Sequence, residues 1–394
     1  MKTLKPKLAL FALFLISLLF FSNDFGLIDI EKTAIITAIA VDKTEEGEFE
    51  VTCQIAVPEA SNALSENQKA QMTGKGSTVG NAIKNIGSLS GWFPQTIFCN
   101  LIIIGNGVLE QDVIGVLDYF HKTMRVQDSA QVVLAEDKAK SLLDATTPLD
   151  NISSFAIQKI LLKNPGFDQD VYAVDIKTFC VGYYGRTKSS VMPIVKVITE
   201  KQDNNSSSSS QGQDASSQGD TKTKGKNAFD ATTTALFLNG RKVGELDKSL
   251  TNTLNMLTKR VNGSAFAVND VDGINYLLTI KNSKSKIKVS ANQNSLSVDL
   301  TISLYCQISD QTSTLNEGVF VNSDVLPDNL KHATEDMIRQ NTMDLVQTIK
   351  QTGCDFLYLK EKLYRFCNKQ YSRYKDNYLD TMNVNIKVDV YGQK

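Results

Sequence analysis

Apolar and polar residues alternate along several short stretches of the chain, and this pattern predicts half-buried β-strands. The most regular stretch is near the C-terminus, where every second position holds an apolar residue: Met382, Val384, Ile386, Val388 and Val390. Because successive side chains of a strand point to opposite faces, the alternation predicts a strand with one buried face. Residues 49–57 alternate in the same way and follow the apolar run 34–41, so we predict a hairpin with its loop at residues 42–48.

Other apolar runs predict strands of different kinds. Ile97–Ile104 is apolar except at Asn100, and such a run is typical of a strand covered on both faces. Asn239-Gly240 is a strong turn signal between the predicted strands 232–238 and 241–246. Further strands are expected at residues 130–135, 191–198, 276–280, 287–289 and 296–305. Residues 60–76 are polar and turn-rich, and no strand is predicted there.

Helical periodicity begins at about Ser77, where one face carries Val79, Ala82, Ile83 and Ile86. A long amphipathic helix opens at Asp328, and Gly353 ends it as a C-terminal cap. Its inward residues are Leu330, Ala333, Met337, Ile338, Leu345 and Ile349. Shorter helices are predicted around residues 113–120, 137–144, 152–162 and 250–257, and around 356–366 with Phe356, Leu359, Leu363 and Phe366 inward.

A serine-rich segment gives the clearest boundary in the chain. Between Lys201 and Lys226 the single apolar residue is Ala215, so the segment buries too little surface to offset its ordering entropy. We predict a disordered linker that is either a spacer or, as we favour, a tolerated insertion. The expected fold class is α+β: a signal-anchor helix (1–26) followed by mixed-sheet domains with packed helices. These are an N-terminal α+β domain (27–200), the linker (201–226), a small β-rich middle domain (227–290) and a C-terminal α+β domain (291–394).

The N-terminus has the shape of an export signal. Lys2, Lys5 and Lys7 precede an apolar run over residues 8–21, with no small-x-small cleavage site after it. The run is shorter than the ~17–25 residues of a usual membrane-spanning helix. We predict an uncleaved signal-anchor; a cleaved signal peptide and a buried helix of a cytosolic protein are the alternatives. Because the three lysines precede the run and Asp24, Asp29 and Glu31 follow it, the positive-inside bias places the body outside the cytoplasm.

Composition excludes several classes of protein. The 394 residues carry 42 basic and 43 acidic side chains, a net charge of -1, which does not suggest a nucleic-acid partner. The sequence has no second long apolar run, so a polytopic membrane protein is not predicted. The six cysteines form no C-x-x-C motif. Cys53 and Cys99 are expected to be buried thiols, and Cys354 and Cys367 are close enough in sequence to form a disulfide in an oxidising compartment.

No motif predicts catalysis. The two histidines, His121 and His332, lie in no recognisable catalytic context, and we expect the first at a helix end and the second in solvent. Gly74–Thr78 lacks phosphate-loop spacing and is interpreted as a turn and helix cap. Asn269–Gly273 lacks the later positions of a calcium loop and is interpreted as a turn. We therefore predict no enzyme and no catalytic, cofactor-binding or metal-binding residues; an extracytoplasmic enzyme using either histidine is the weakest alternative.

Motifs spread along the chain resemble the Ger(x)C family, the C subunits of spore germinant receptors. The opening strands and Gly74-x-Gly76-x-Thr78 are similar to family motifs, as are Ile102–Gly105 and Leu117–Phe120. The most specific piece is Thr234–Leu246, which resembles the hairpin of the family's second domain. The chain departs from the family in lacking a lipid-accepting cysteine after the apolar run. It also has Asn106 where the family often has glutamate.

The resemblance implies a non-enzymatic subunit of a nutrient germinant receptor. It would be membrane-anchored and would assemble in the spore inner membrane with a membrane A-type subunit and a polytopic, transporter-like B-type subunit. No cofactor is implied, and no small-molecule ligand is assigned. The alternative is a general extracytoplasmic, membrane-anchored binding or scaffold protein of growing cells.

Overall fold

The computed structural model describes residues 10–17, 33–56, 70–91, 93–110, 113–124, 126–148, 150, 152–162, 170–200, 226–259, 261–313 and 325–392. Two mixed β-sheets with helices packed on them form this part of the chain, which confirms the α+β class. Residues 10–17 form a helix, α1, with exposed side chains. Within the described ranges, no helix combines the length and the apolar character needed to cross a membrane. The rest of the predicted signal-anchor and residues 201–225 of the predicted linker lie outside the described residues.

The first sheet contains nine strands: β1 (Thr33–Lys43), β2 (Phe49–Ala56), β3 (Gln71–Gly76), β4 (Phe93–Gln95), β5 (Leu101–Ile104), β6 (Gln131–Ala135), β7 (Ser189–Glu200), β8 (Lys226–Leu238) and β9 (Arg241–Leu246). Their order is β3-β2-β1-β5-β6-β7-β8-β9, and β4 pairs with the beginning of β1. The neighbours β1, β5, β6 and β7 are parallel, and antiparallel strands flank them. All of β5 and β6 is buried, as expected for strands covered on both faces.

Five helices accompany this sheet: α2 (Val79–Ser90), α3 (Val113–Asp118), α4 (Ala139–Asp144), α5 (Ser153–Leu161) and α6 (Ile176–Tyr184). A 3₁₀ turn spans Asn106–Glu110, and a π-helical turn, Tyr119–Thr123, follows α3. The buried face of α2 consists of the four residues that the sequence predicts. Its N-cap is also as predicted, because Thr78 Oγ1 accepts a hydrogen bond from Asn81 N.

The expectation that residues 60–76 form turns is wrong for the part that the structure describes, since Gln71–Gly76 is strand β3. The glycines serve close packing here. A Cβ on Gly76 would lie 2.7 Å from Ala82 N, and one on Gly74 would lie 2.7 Å from Ile86 Cγ1. Small residues therefore let α2 approach β3 closely.

Two further predictions for the first sheet need correction. Only the second half of Ile97–Ile104 is a buried strand; Ile97 and Phe98 lie in a turn and are exposed. Helix α6 lies where no helix is predicted. Its N-terminus is stabilised by Asp175, whose carboxylate accepts a hydrogen bond from Thr178 N.

The second sheet contains four strands: β10 (Ala265–Val271), β11 (Ile274–Ala291), β12 (Leu296–Ser313) and β13 (Met382–Tyr391). The first three are antiparallel neighbours, and β13 is parallel to β12. Strand β11 spans both of the predicted strands 276–280 and 287–289. Residues 269–271 belong to β10 rather than to the predicted turn, which is confined to Asp272 and Gly273, both with positive φ.

Five helices accompany the second sheet: α7 (Lys248–Thr258), α8 (Asp328–Thr352), α9 (Leu359–Phe366), α10 (Asn368–Tyr374) and α11 (Tyr378–Thr381). Helix α8 buries Leu330, Ile338, Leu345 and Ile349 and half-buries Ala333 and Met337, as the pattern predicts. Gly353 ends it with φ 71°. Phe366 does not face inward as predicted, because its side chain is 74% exposed.

The sheets divide the chain differently from the predicted domains. Strands β7 and β8 pair from Ser189–Leu238 to Glu200–Lys226, so the first sheet continues on both sides of the serine-rich segment. The hairpin 232–246 completes this sheet, with Asn239 and Gly240 in left-handed conformations as its turn type requires. The predicted boundary at residue 290 falls inside the β11–β12 hairpin. The predicted middle domain is therefore shared between the two sheets.

Candidate functional site

A polar cleft of about 190 Å³ opens beyond the carboxyl ends of β5 and β6, beside β8 and β9. Its lining combines an apolar floor with charged walls: Asn106, Leu134, Ala135, Glu136, Ile194, Lys196, Asp230, Thr233, Lys242 and Glu245. Ligands of open α/β sheets bind outside the carboxyl ends of parallel strands. The cleft therefore lies where sheets of this kind can hold a small polar molecule.

Four of the charged residues that line the cleft form two ion pairs. Lys196 Nζ lies 3.4 Å from Asp230 Oδ2, and Lys242 Nζ lies 2.5 Å from Glu245 Oε1. Burial opposes ionisation of Asp230, but hydrogen bonds from Thr232 and the attraction of Lys196 outweigh it and hold the pKa of this carboxyl below its ordinary value. The lining contains no histidine, cysteine or serine.

The neighbouring position, at the ends of β1 and β5, is occupied by the side chain of Asp42. Asp42 is 4% exposed, and its carboxylate accepts hydrogen bonds from Ala139 N (2.7 Å) and Lys140 N (2.9 Å) at the start of α4. Burial raises the pKa of Asp42, and the two backbone bonds partly offset this rise. Gly105 is required beside it, because any Cβ there would collide with Asp42 Oδ1. This glycine belongs to the motif Ile102–Gly105.

The two sheets meet at a buried segment, Gly353–Tyr358, which we call the joint. On one side it contacts the first sheet: Asp355 N donates to Ser189 Oγ (2.9 Å), and Cys354 Sγ donates to Phe237 O (3.2 Å). Gly182 of α6 lies directly against it, and a Cβ there would lie 3.1 Å from Tyr358 Oη. The joint is thus fixed to β7, β8 and α6.

On its other side, the joint contacts the C-terminal helices through the fully buried Asp355. The carboxylate accepts hydrogen bonds from Leu359 N and Lys360 N, both at 2.9 Å, and from Tyr378 Oη at 3.1 Å. Burial raises the pKa of Asp355, and these three donors partly offset the rise. One carboxylate therefore holds α9 and α11 against the segment that is fixed to the first sheet. No local motif reveals this role in the sequence.

A partly buried lysine supports the contact between α7 and residues 170–175. Lys259 Nζ lies 4.0 Å from the ring centroid of Tyr172 and donates to Ala173 O at 3.1 Å. Burial lowers the pKa of Lys259 to about 8, against the opposing attraction of Asp175. Because its amine contacts a ring and a carbonyl, the lysine has a structural role.

The histidines and cysteines are placed apart from the cleft. His121 Nε2 lies 2.7 Å from Asp128 Oδ1 in an exposed pair at the predicted helix end, and His332 is exposed on α8. All six cysteines are free thiols, and Cys53 and Cys99 are buried as predicted. The disulfide considered between Cys354 and Cys367 is absent, since both are free thiols; Cys367 Sγ donates to Val289 O in the second sheet. Within the described ranges, no three His, Cys, Asp or Glu side chains are grouped as metal ligands.

Comparison with known families places this two-sheet fold among spore germination proteins. Residues 27–197 match the family model described as spore germination protein N-terminal domain, and residues 232–392 match spore germination B3/GerAC like, C-terminal. The chain belongs to the Ger(x)C family, which confirms the resemblance of its motifs. At the level of this family, it is a spore germination receptor subunit.

A solved structure has the same fold. The crystal structure of the GerBC protein superposes with a TM-score of 0.52 over 90% of this chain and 96% of that chain, at 16% sequence identity. At this identity the similarity establishes the fold alone. A search of curated protein sequences found no match.

Proposed function

We propose that the chain is a non-enzymatic, membrane-anchored subunit of a spore nutrient germinant receptor. It acts in germination by assembling with A- and B-type membrane subunits, and its body lies on the outer side of the spore inner membrane. The observation that carries this proposal is the pair of family domains, which follow each other in order over residues 27–197 and 232–392.

The N-terminal pattern supports anchoring. Lys2, Lys5 and Lys7 precede the apolar run 8–21, and residues 10–17 of this run are helical with exposed apolar side chains. Because lysines favour the cytoplasmic side, this order directs the following body outward. A tether of this kind raises the effective concentration of the body near membrane partners.

The described sites support a role in assembly rather than in catalysis. The cleft has paired charges, and the joint fixes the second sheet to the first through Asp355 and Cys354. A body of this construction presents surfaces from both sheets in one fixed arrangement. Assembly through such preorganised surfaces avoids part of the entropy that association otherwise costs.

The test is affinity purification of a C-terminally tagged chain from detergent-solubilised spore membranes, followed by mass analysis of the bait and its partners. We expect the chain with its N-terminus intact, together with A- and B-type receptor subunits. A matched variant, Phe14→Asp, places a charge in the apolar run, where it opposes membrane insertion by roughly 2.5–3.5 kcal/mol. This variant should lose both the membrane association and the partners.

Two results would contradict the proposal. A soluble wild-type bait would show that the chain is not anchored. A membrane-bound bait with unrelated partners, made in growing cells, would favour the general extracytoplasmic scaffold instead.

A further inference from the structure

Strand β13 is the longest strand at an end of either described sheet. It has ten residues, Met382–Tyr391, and its ladder with β12 runs without a register shift. The strands at the other three ends are shorter: β3 and β9 have six residues each, and β10 has seven and a register shift opposite β11. Short edge strands and bulges are devices that protect a sheet against pairing with another chain. Among the described strands, β13 therefore has the edge best suited to accept a further strand.

Backbone groups of β13 point away from the sheet along this edge. Val390 N donates to Glu335 Oε1 at 2.9 Å, so its amide points away from β12. Because the direction of backbone groups alternates along a strand, Val384, Ile386 and Val388 point the same way. No other strand of the described chain pairs with this edge. Glu335 covers one position near its end, and a second strand could pair with the rest.

The apolar face of β13 is incompletely covered. Its even-numbered side chains point toward α8, and Val388 and Val390 are buried there. Val384 and Ile386 point to the same face but are only half-buried. On the opposite face, Tyr391 is 52% exposed. A strand added beside β13 would remove more of this apolar surface from water.

The charges of β13 are complementary to those of a second copy of the same strand. Lys387 and Asp389 lie on the solvent face, with Lys387 Nζ 2.9 Å from Asp389 Oδ2. If two copies run antiparallel with Val388 opposite Val388, Lys387 of each copy lies opposite Asp389 of the other. The same register places Ile386 opposite Val390 on the apolar face. Moving the centre by one residue, to Lys387 or to Asp389, places like charges opposite each other, which is unfavourable.

We propose that β13 pairs with β13 of a second copy of this chain, antiparallel and two-fold symmetric about Val388. The second sheets of the two copies then form one sheet of eight strands, with α8 of each copy on the same face. Val388 exchanges two backbone hydrogen bonds with its counterpart, and Val390 N leaves Glu335 for Ile386 O of the second copy. Because the same surface is used by both copies, the contact closes as a dimer. The inference goes beyond the proposed function and does not depend on it.

The test uses two charge reversals in the full-length chain purified in detergent, with dimerisation measured by sedimentation over a range of concentrations. Lys387→Asp places acidic groups opposite each other at both pairs, and Asp389→Lys places lysines opposite each other. Each variant alone should dimerise roughly tenfold more weakly than the wild type, about 1.4 kcal/mol. An equimolar mixture of the two variants should dimerise as strongly as the wild type, because each charge then meets its opposite.

The matched control is Lys286→Asp. Lys286 is exposed on the same face of the sheet and in the same row as Lys387, since both pair with Thr301 of β12. It lies two strands, roughly 10 Å, from the edge. This variant has the same change in net charge as Lys387→Asp and should dimerise as the wild type does. Equal weakening by both variants would attribute the effect to net charge and overturn the proposed pairing.

Two further results would overturn the proposal. The first is a wild-type chain that stays monomeric at every concentration. The second is a dimer that neither reversal weakens, or one that the mixture of variants does not restore, because its interface would then lie elsewhere.

Cross-linking in spore membranes separates this proposal from the proposed function. With p-benzoylphenylalanine in place of Tyr391, we expect an adduct with the mass of two copies. An adduct with a different protein would show that a partner occupies the edge, which would overturn the dimer and leave the receptor role intact. Absence of receptor partners in the affinity purification would contradict the receptor role and leave the dimer unaffected.

Discussion

Substitution of Gly182 by alanine should destabilise the joint, although alanine is the better helix former. Gly182 lies inside α6, and its added Cβ would lie 2.6 Å from Ser190 Oγ and closer still to the backbone oxygen of Ser189. Ser190 Oγ cannot turn away without loss, because it donates to Phe179 O at 2.6 Å. The carbonyl of Ser189 belongs to β7, which pairs with β8 along most of its length.

The magnitude follows from two opposing contributions. Alanine gains roughly 0.5–1 kcal/mol over glycine in a helix interior. Overpacking in a well-packed interior costs roughly 1–3 kcal/mol. The steric contribution dominates, because one of the two obstructing atoms is backbone, and the net loss should be about 1–2 kcal/mol.

The assay is thermal or urea unfolding, and the matched control is Gly115→Ala. Gly115 also lies inside a helix, α3, but its added Cβ would have no atom within 4 Å. The control should therefore unfold at the wild-type midpoint or above it, whereas Gly182→Ala should unfold below it. A Gly182→Ala midpoint equal to that of Gly115→Ala would refute the close approach of α6 to the joint.

Three other changes test the described contacts. Asp355→Ala should lower the free energy of unfolding by about 2–4 kcal/mol, because it leaves buried donors unpaired. The control Asp247→Ala, at the exposed N-cap of α7, should lower it by roughly 1 kcal/mol. Equal losses in urea unfolding would contradict the role of the joint. Because the pKa of Lys259 is lowered to about 8, the unfolded chain binds more protons than the folded chain between pH 8 and 10.5. The free energy of unfolding of the wild type should therefore rise with pH in that window relative to Lys259→Met. A constant difference between their unfolding midpoints would show that the amine is not buried. A maleimide should label Cys180 and Cys367 in the native chain, and all six cysteines after denaturation without reductant. Intact mass measures the number of labels, and a pair that stays unlabelled after denaturation would reveal a disulfide.

The sequence correctly predicts elements that bury a single face. Helix α2 and strand β13 have apolar residues at the spacing of a single covered face, and both are found where the pattern places them. Strand β3 is missed because Gly74 and Gly76 suggest a turn, whereas their small size is needed for contact with α2. Helix α6 is missed because one position of its buried face is Gly182, which breaks the apolar period.

The candidate sites are much harder to predict. The cleft combines residues from β6, β7, β8 and β9. These segments become neighbours through the order of strands in the sheet, which no local pattern specifies. Even the key contact of Asp355 is with Ser189, and the two residues are far apart in sequence.

The pairing of Glu200 with Lys226 has a practical consequence for the serine-rich stretch that separates them. Its two ends leave and re-enter the sheet on adjacent strands, so its length can change at an entropic cost that grows only with the logarithm of that length. Cleavage there would leave two fragments that share the β7–β8 ladder and can stay associated as a nicked protein. The same position would accept a fluorescent reporter inside the chain, with residues at both ends left unchanged.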